Sequence, residues 1–399
     1  MQIKAKHIKY PIFHFSYLIL ILLFSGCQAE IPTESPVITG NARFDKYLSQ
    51  LENKRVGLVV NQSSLVGESH LVDTLLALGI NVTSIFAPEH GFRGEAADGI
   101  TVEDGIDVKT SVPVLSLYGK VKKPTAEHMS QVDIMLFDIQ DVGTRFYTYL
   151  STMHWVMEAC AENELPFIVL DKPNPNGHYV DGPVLEMEHQ SIVGMHRIPV
   201  VHGMTLGELA RMINGEGWLV DSLKCSLEVI PVANWTHRDS YHLPVRPSPN
   251  LPDDEAVRWY PSLCFFEGTT VSVGRGTDHP FTRIGHPELE DSTFSFTPVS
   301  RQESVYPKHE GKLCYGRDLR GTEPGDRLNL SLLIDYYQKL NNAGKPFFKK
   351  YFTRLAGTVK LQEQIEKGLT EQEIRRSWEN DLIAFKEKRK KYLLYEDNE

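Results

Sequence analysis

The chain has 399 residues, 41% of them apolar and 24% charged, a composition that supports a sizeable core and excludes a disordered or collagen-like chain. Its formal net charge of −10 argues against non-specific nucleic-acid binding, and no basic stripe or RNA-binding signature occurs. The length allows more than one domain.

Residues 1–27 read as an export signal. Lys4, Lys6 and Lys9 form a positive n-region, and residues 15–24 an apolar h-region too short to span a bilayer comfortably. The run ends in Phe24-Ser25-Gly26-Cys27, which resembles a bacterial lipobox with Phe24 where Leu is usual. Cys27 is therefore the expected lipidation site. An ordinary signal peptide with a cysteine by chance is the alternative. The expected location is the cell envelope, on the periplasmic or outer-membrane side, with the protein held to the membrane through a lipid anchor. Residues 28–40, with Pro32, Pro36 and Gly40, read as a linker. Cys160, Cys225, Cys264 and Cys314 show no CxxC spacing, so neither a zinc site nor a thioredoxin-like motif is indicated.

A first helix is expected over 41–54, where Phe44, Tyr47, Leu48 and Leu51 share a face. Strand and helix patterns then alternate. Strands are expected over 56–60, 82–86, 112–117, 134–139 and 167–170. Helices are expected over 69–78, closed by Gly79, and over 125–132 and 146–162. Repeated β-α-β of this kind predicts a doubly wound, mostly parallel sheet. Turn-rich segments follow, then a helix over 205–216 with Thr205 and Glu208 as a capping box. The proline-rich stretch 244–252 must be extended or looped. A smaller C-terminal part carries helices over 330–340 and from Thr370, with Ile374, Trp378, Leu382 and Phe385 on one face. The basic run 386–391 reads as a solvated helix face. The expected layout is a catalytic domain over 41–230 and a C-terminal auxiliary domain over 231–399.

Polar clusters sit where four of these strands end: Asn61-Gln62-Ser63; Glu89-His90; Gln140-Asp141 with Thr144-Arg145; and Asp171-Lys172-Pro173-Asn174. In a parallel sheet all four converge on one edge, where ligands bind. Each cluster alone is also explained by turns and helix caps. Around Glu89, Pro88 stiffens the approach and Gly91 and Gly94 permit a tight turn. Phe86 and Phe92 could desolvate the carboxyl and raise its pKa, as a general acid requires; a plain loop carboxylate paired with Arg93 is the alternative.

No GxGxxG or Walker loop follows a strand, and no GxSxG or HExxH motif occurs, so no cofactor and no metal are expected. His279 and His286 are metal-ligand candidates by position only. Carboxylates, arginines and aromatics remain. Glu89, Asp141, Asp171, Glu186 and Glu267 are candidates for acid–base work. Arg93, Arg145 and Arg275 suit an anionic substrate. Tyr147, Trp259, Tyr260 and Phe266 are candidates for stacking on sugar faces. This set, without a cofactor, fits glycoside hydrolysis.

Several long segments carry a family resemblance. They are Phe86-Ala87-Pro88-Glu89-His90-Gly91, Phe137-Asp138-Ile139-Gln140-Asp141-Val142-Gly143-Thr144-Arg145-Phe146-Tyr147-Thr148-Tyr149 and Leu170-Asp171-Lys172-Pro173-Asn174-Pro175. Asp181-Gly182-Pro183, Pro199-Val200-Val201-His202-Gly203-Met204-Thr205, Pro247-Ser248-Pro249-Asn250-Leu251-Pro252 and Phe266-Glu267-Gly268-Thr269 continue it. Beyond residue 40 the chain resembles a bacterial family long labelled as a domain of unknown function and now typified by the exo-β-N-acetylmuramidase NamZ. The resemblance implies a Rossmann-like domain with a smaller α+β auxiliary domain and a cleft between them. It also implies removal of terminal β-linked N-acetylmuramic acid from the non-reducing ends of peptidoglycan fragments, in cell-wall turnover or recycling. Glu89 is then the favoured catalytic residue. Asp141 and Asp171 are candidates for the second group. His90, Arg93, Gln140, Thr144, Arg145, Asn174, Glu267 and Arg275 are candidates for binding the muramic acid glycoside. Two rivals are a lipid-anchored binding protein that captures wall sugars without cleaving them, and an esterase or amidase acting on wall material. The sequence prescribes no oligomeric state.

Overall fold

The computed structural model describes residues 2, 35–92, 104–289 and 293–397. The expected signal, Cys27, nearly all of the linker, and Arg93 lie outside the described residues. The chain enters through α1 (Phe44–Leu51) and β1 (Val56–Val60). A short ribbon, β2 (Leu65–Val66) and β3 (Ser69–His70), leads into α2 (Leu71–Ala77) and β4 (Val82–Ala87). Then come β5 (Gly105–Ile106), β6 (Pro113–Ser116), α3 (Ala126–Met129), β7 (Ile134–Asp138), α4 (Tyr149–Glu162), β8 (Pro166–Leu170), α5 (Leu206–Glu216) and β9 (Ser226–Ile230).

Seven of these strands form one sheet in the order β5-β6-β4-β1-β7-β8-β9. Every pair is parallel except β5 with β6. Counted along the chain, the parallel strands run 3-2-1-4-5-6, the order of doubly wound nucleotide-binding sheets. The apolar runs explain it. All of β1 and β7 is buried, as strands covered on both faces must be. Alternate residues feed two cores. Leu58, Ile85, Leu136 and Ile168 pack with Tyr47 and Leu51 of α1 and Leu75 of α2. Val59, Phe86, Phe137 and Val169 pack with Met153 and Val156 of α4 and Ile213 of α5.

The capping box expected at Thr205 forms, with its hydroxyl and Glu208 satisfying each other's backbone N–H, and α5 stops at left-handed Gly217. Two differences follow from local chemistry. Helix α4 starts at Tyr149, not 146, because Phe146 and Tyr147 sit in a buried loop. Strand β9 was not anticipated: its residues alternate in burial, and polar Ser226 and Glu228 weaken the apolar run.

The C-terminal half adds α6 (Asp254–Leu263), a 3-10 turn (Cys264–Gly268) and an antiparallel sheet of β10 (Arg283–His286), β11 (Phe294–Phe296) and β12 (Cys314–Asp318) in the order β10-β12-β11. Helices α7 (Leu330–Asn342), α8 (Phe352–Ala356), α9 (Lys360–Glu366), α10 (Glu371–Arg376) and α11 (Glu379–Arg389) complete it. The single helix expected from Thr370 is broken between α10 and α11 at Ser377–Trp378. Arg389, expected on a solvated face, is buried and donates to the Gly203 carbonyl and Asp397.

The last residues return to the parallel sheet. The Tyr395 hydroxyl donates to Asp171 at 2.6 Å, the Leu394 N–H to Glu208 at 2.8 Å, and the His237 N–H to the Glu396 carbonyl at 3.0 Å. Residues 36–399 thereby form one compact unit.

Candidate active site

Strand β4 delivers the Pro88–Gly91 turn to the sheet's carboxyl edge. The Gly91 N–H donates to the Pro88 carbonyl at 3.0 Å, and both His90 and Gly91 are left-handed, with φ of 72° and 77°. Gly91 takes this conformation freely, whereas at His90 it costs about 1–2 kcal/mol. Local strain of this kind gathers at functional sites. The turn aims Glu89, whose Oε2 accepts a 2.7 Å hydrogen bond from the Thr148 hydroxyl just before α4. Phe86 and Phe92 do not line the cleft at Glu89: Phe86 lies edge-on to His128, Phe92 edge-on to His70. Tyrosines take that place.

Glu89 opens onto a cleft of about 270 Å³. Its sheet-side wall is Glu89, His90 and the Tyr147-Thr148-Tyr149 run. Ser248 and Asn250 come from the proline-rich segment, and Glu267, Arg275 and Phe281 from the C-terminal half. Arg275 Nε lies 3.3 Å from Glu267 Oε1, and its guanidinium lies 5.1 Å from the Phe281 ring centre. A second hollow of about 220 Å³ shares Glu267 and Arg275 and continues past Ser304 and Lys308. The Lys308 ammonium donates to the Phe266, Glu267 and Val271 carbonyls at 2.7, 3.1 and 3.3 Å. Burial pulls its pKa down to about 8.

The other strand ends behave differently. At the β1–β7 switch point Lys172 Nζ lies 3.0 Å from Asp138 Oδ1 and donates to the Ser63 carbonyl at 2.8 Å. Asn41 donates to Asp138 Oδ2 at 3.0 Å, and the Gln140 N–H to the Ser63 hydroxyl at 2.9 Å. The crevice where such sheets bind nucleotides is filled by its own side chains. Gln140 ties down the Asp141 and Pro173 carbonyls, both at 2.8 Å. Asn174 donates to the Met204 carbonyl and packs so closely on Gly143 (φ 78°) that a Cβ there would sit 2.1 Å from its Oδ1.

Asp171 accepts from the hydroxyls of Thr205 and Tyr395, each at 2.6 Å, and from the Gly207 N–H at 2.8 Å. It is buried, does not line the cleft, and clamps α5 and the C-terminal tail to β8, which corrects the expectation of acid–base work there. Arg145 is likewise enclosed. Its terminal nitrogens donate to the Pro183, Ile198, Leu355 and Ala356 carbonyls at 2.7–3.0 Å, and burial lowers its pKa to about 9. It is a strut between the two halves, not a substrate ligand. Thr144 is fully buried. Asp141 does not line the cleft either. Its Oδ2 accepts from the Gly143 N–H at 2.7 Å, and burial raises its pKa to about 7.

Of the residues singled out from sequence, Glu89, His90, Glu267 and Arg275 meet in the cleft, with Tyr147 and Tyr260 among the aromatics. Trp259 instead donates to the Thr322 carbonyl, and Phe266 packs edge-on to Tyr336 and Phe347. The cleft also holds Thr148, Tyr149, Ser248, Asn250 and Tyr118, none of which a local sequence motif singles out. The first two adjoin Tyr147. The proline-rich segment carried a usable signal, since its stiff backbone presents Ser248 and Asn250 to the cleft. His279 contacts Arg320, and His286 stacks edge-on with His309. Among the described residues one group, Glu186, Glu188 and His189, brings three ligand-type atoms within 4.8 Å; Glu186 there pairs with Lys360 at 2.6 Å and Thr358 at 2.9 Å.

Residues 56–255 match the family described as exo-β-N-acetylmuramidase NamZ, N-terminal, and residues 258–395 its C-terminal counterpart. Over 377 residues the chain is 42% identical to the peptidoglycan β-N-acetylmuramidase NamZ of Bacillus subtilis (strain 168), covering 88% of this chain and 89% of that protein. A DUF1343-family crystal structure from Bacteroides fragilis NCTC 9343 superposes with a TM-score of 0.85 at 47% identity, covering 91% of this chain and 100% of that one. A second from the same organism gives 0.79 at 28% identity, covering 90% and 99%. With both halves matched and the cleft between them intact, the chain belongs to the exo-β-N-acetylmuramidase NamZ family.

Proposed function

We propose that this protein is an exo-acting β-N-acetylmuramidase. It removes terminal β-linked N-acetylmuramic acid from the non-reducing ends of peptidoglycan fragments, in cell-wall turnover or recycling. The observation that carries this reading is Glu89, presented by a turn strained at His90 to the wall of a cleft that Arg275 closes from the other half. A relative 42% identical over most of the chain is a peptidoglycan β-N-acetylmuramidase.

In this reading Glu89 is the general acid. Thr148 holds Oε2, and Oε1 carries the proton given to the leaving glycosidic oxygen. Water or the substrate's own acetamido oxygen attacks C1. Tyr147 and Tyr149 exclude solvent beside the acid. Arg275 reads the lactyl carboxylate that distinguishes muramic acid from glucosamine, backed by Glu267 and the Phe281 face. Cys27 carries the lipid anchor, which holds the soluble body at the cell envelope.

The test is hydrolysis of a chromogenic β-N-acetylmuramide beside the matching glucosaminide, with protein starting after Cys27 and its Glu89→Gln variant. Turnover of the muramide alone, lost in a folded variant, supports the reading. Binding of muramic acid without turnover by folded wild type replaces it with a sugar-capture protein.

A further inference from the structure

The turn that brings Ser248 and Asn250 to the cleft is fastened from both halves of the molecule. The Leu251 N–H donates to the Ser248 carbonyl at 3.1 Å, with Pro249 and Asn250 at the corner. At its root Gln62, just beyond β1, donates through Nε2 to the Arg246 and Pro247 carbonyls at 3.2 and 3.0 Å. The Tyr149 hydroxyl donates to the same Pro247 carbonyl at 3.3 Å. At its tip Asn250 Nδ2 donates to the Glu303 carbonyl at 2.8 Å.

Asn250 is 4% exposed and lines the cleft. Its amide cannot turn over, because Oδ1 would then meet the Glu303 carbonyl, acceptor against acceptor. Among the described residues no donor reaches Oδ1, so Asn250 offers the cleft one fixed acceptor. Ser248 brings a hydroxyl to the same cleft.

A fixed acceptor selects a donor on the sugar. A terminal N-acetylmuramic acid offers two kinds, its hydroxyls and the acetamido N–H. The acetamido group stands on the carbon next to the one that is cut. The protein sets the acid and the turn in a matching relation through adjacent residues: Thr148 donates to Glu89, and Tyr149 to the carbonyl at the root of the turn. A hydroxyl both gives and takes a hydrogen bond, whereas an amide N–H only gives, so a lone acceptor suits the amide. The other half of that amide is a carbonyl, for which the Ser248 hydroxyl is a donor, and Leu251 and Tyr260 wall the cleft with apolar surface for its methyl group.

We infer that the Ser248–Leu251 turn is the acetamido subsite: Asn250 Oδ1 accepts from the acetamido N–H, and the Ser248 hydroxyl donates to the acetamido carbonyl. The inference rests on the muramidase reading. It divides recognition of the sugar between two places, Arg275 for the lactyl carboxylate and the turn for the amide. The acceptor on Asn250 also repels a carboxylate, which keeps the lactyl group with Arg275.

Two chromogenic β-glycosides test it, the N-acetylmuramide and its counterpart with a hydroxyl in place of the acetamido group, on wild type, Asn250→Ala and Asn250→Asp. Wild type should prefer the acetamido substrate in kcat/KM. Asn250→Ala should lose about 10–100-fold of that preference, chiefly through KM. Asn250→Asp, which keeps an acceptor and gives up only the Glu303 bond, should retain most of it. A binding arm measures free N-acetylmuramic acid and its hydroxyl counterpart by calorimetry on Glu89→Gln, with and without Asn250→Ala, and the ratio of the two affinities should fall in the double variant. Equal losses on both sugars, or Asn250→Asp as poor as Asn250→Ala, would make Asn250 a strut for the turn and overturn the inference. The binding arm needs no turnover. A protein that cuts neither glycoside yet prefers the acetamido sugar through Asn250 would refute the muramidase reading and leave the subsite standing.

Discussion

Glu89 and Asp171 occupy matching places, each just beyond a parallel strand, and they have opposite fates. Asp171 takes three hydrogen bonds from Thr205, Tyr395 and Gly207, which consume both oxygens. Glu89 takes one, from Thr148, and faces the cleft. The β8 end has become a clamp, and the β4 end is left open to the cleft. Polar residues at strand ends are thus not enough to mark a site. What separates them is whether neighbouring chain has already satisfied them.

The largest expected effect tests the open end. Glu89→Gln should lower kcat on the muramide by about 10²–10⁴-fold with the melting temperature little changed. The clamp should respond the other way. Asp171→Ala leaves three donors buried without an acceptor and should cost about 3–5 kcal/mol in denaturant unfolding, with activity per folded molecule retained. Burial raises the Asp171 pKa to about 6. The stability tied to its proton is therefore complete below about pH 4 and lost as pH rises through 6, so the deficit of the alanine variant should be larger at pH 4 than at pH 8. Arg145 and Arg275 extend the same contrast. Arg275→Ala should lower kcat/KM for the muramide by about 10–100-fold and barely affect the glucosaminide. Arg145→Met, which abandons four carbonyls, should lower stability by several kcal/mol (~3) and leave the muramide preference unchanged. A preference change in the Arg145 variant would break the comparison. Glu186→Ala should shift stability by less than about 1 kcal/mol, since its Lys360 partner is exposed.

The fold was legible where strands are buried on both faces. Val56–Val60 and Ile134–Phe137 read as continuous apolar runs, and the Thr205 box marked a helix start to the residue. Strand β9 was not legible, since an edge strand carries charge and mixed burial. Nor was the short antiparallel sheet of the C-terminal half, where Gly285 and Gly316 stand in register and leave little apolar pattern. At the site, the Pro88–Gly91 turn was legible because its residues fix a backbone shape. The roles of Asp171, Arg145 and Asn174 were not. Each has a partner that lies between 30 and 224 residues away in sequence, and no local pattern encodes a distant carbonyl or hydroxyl.

The tail contacts have a consequence for how the protein is made. Asp171 and Glu208 belong to the first-synthesised half, yet each waits for a donor from Leu394 or Tyr395. On the ribosome, the parallel sheet emerges long before those residues do. Its polar interior is completed only once Leu394 and Tyr395 have been made, so a chain halted near residue 390 carries the whole Pro88–Gly91 turn on an unfastened body.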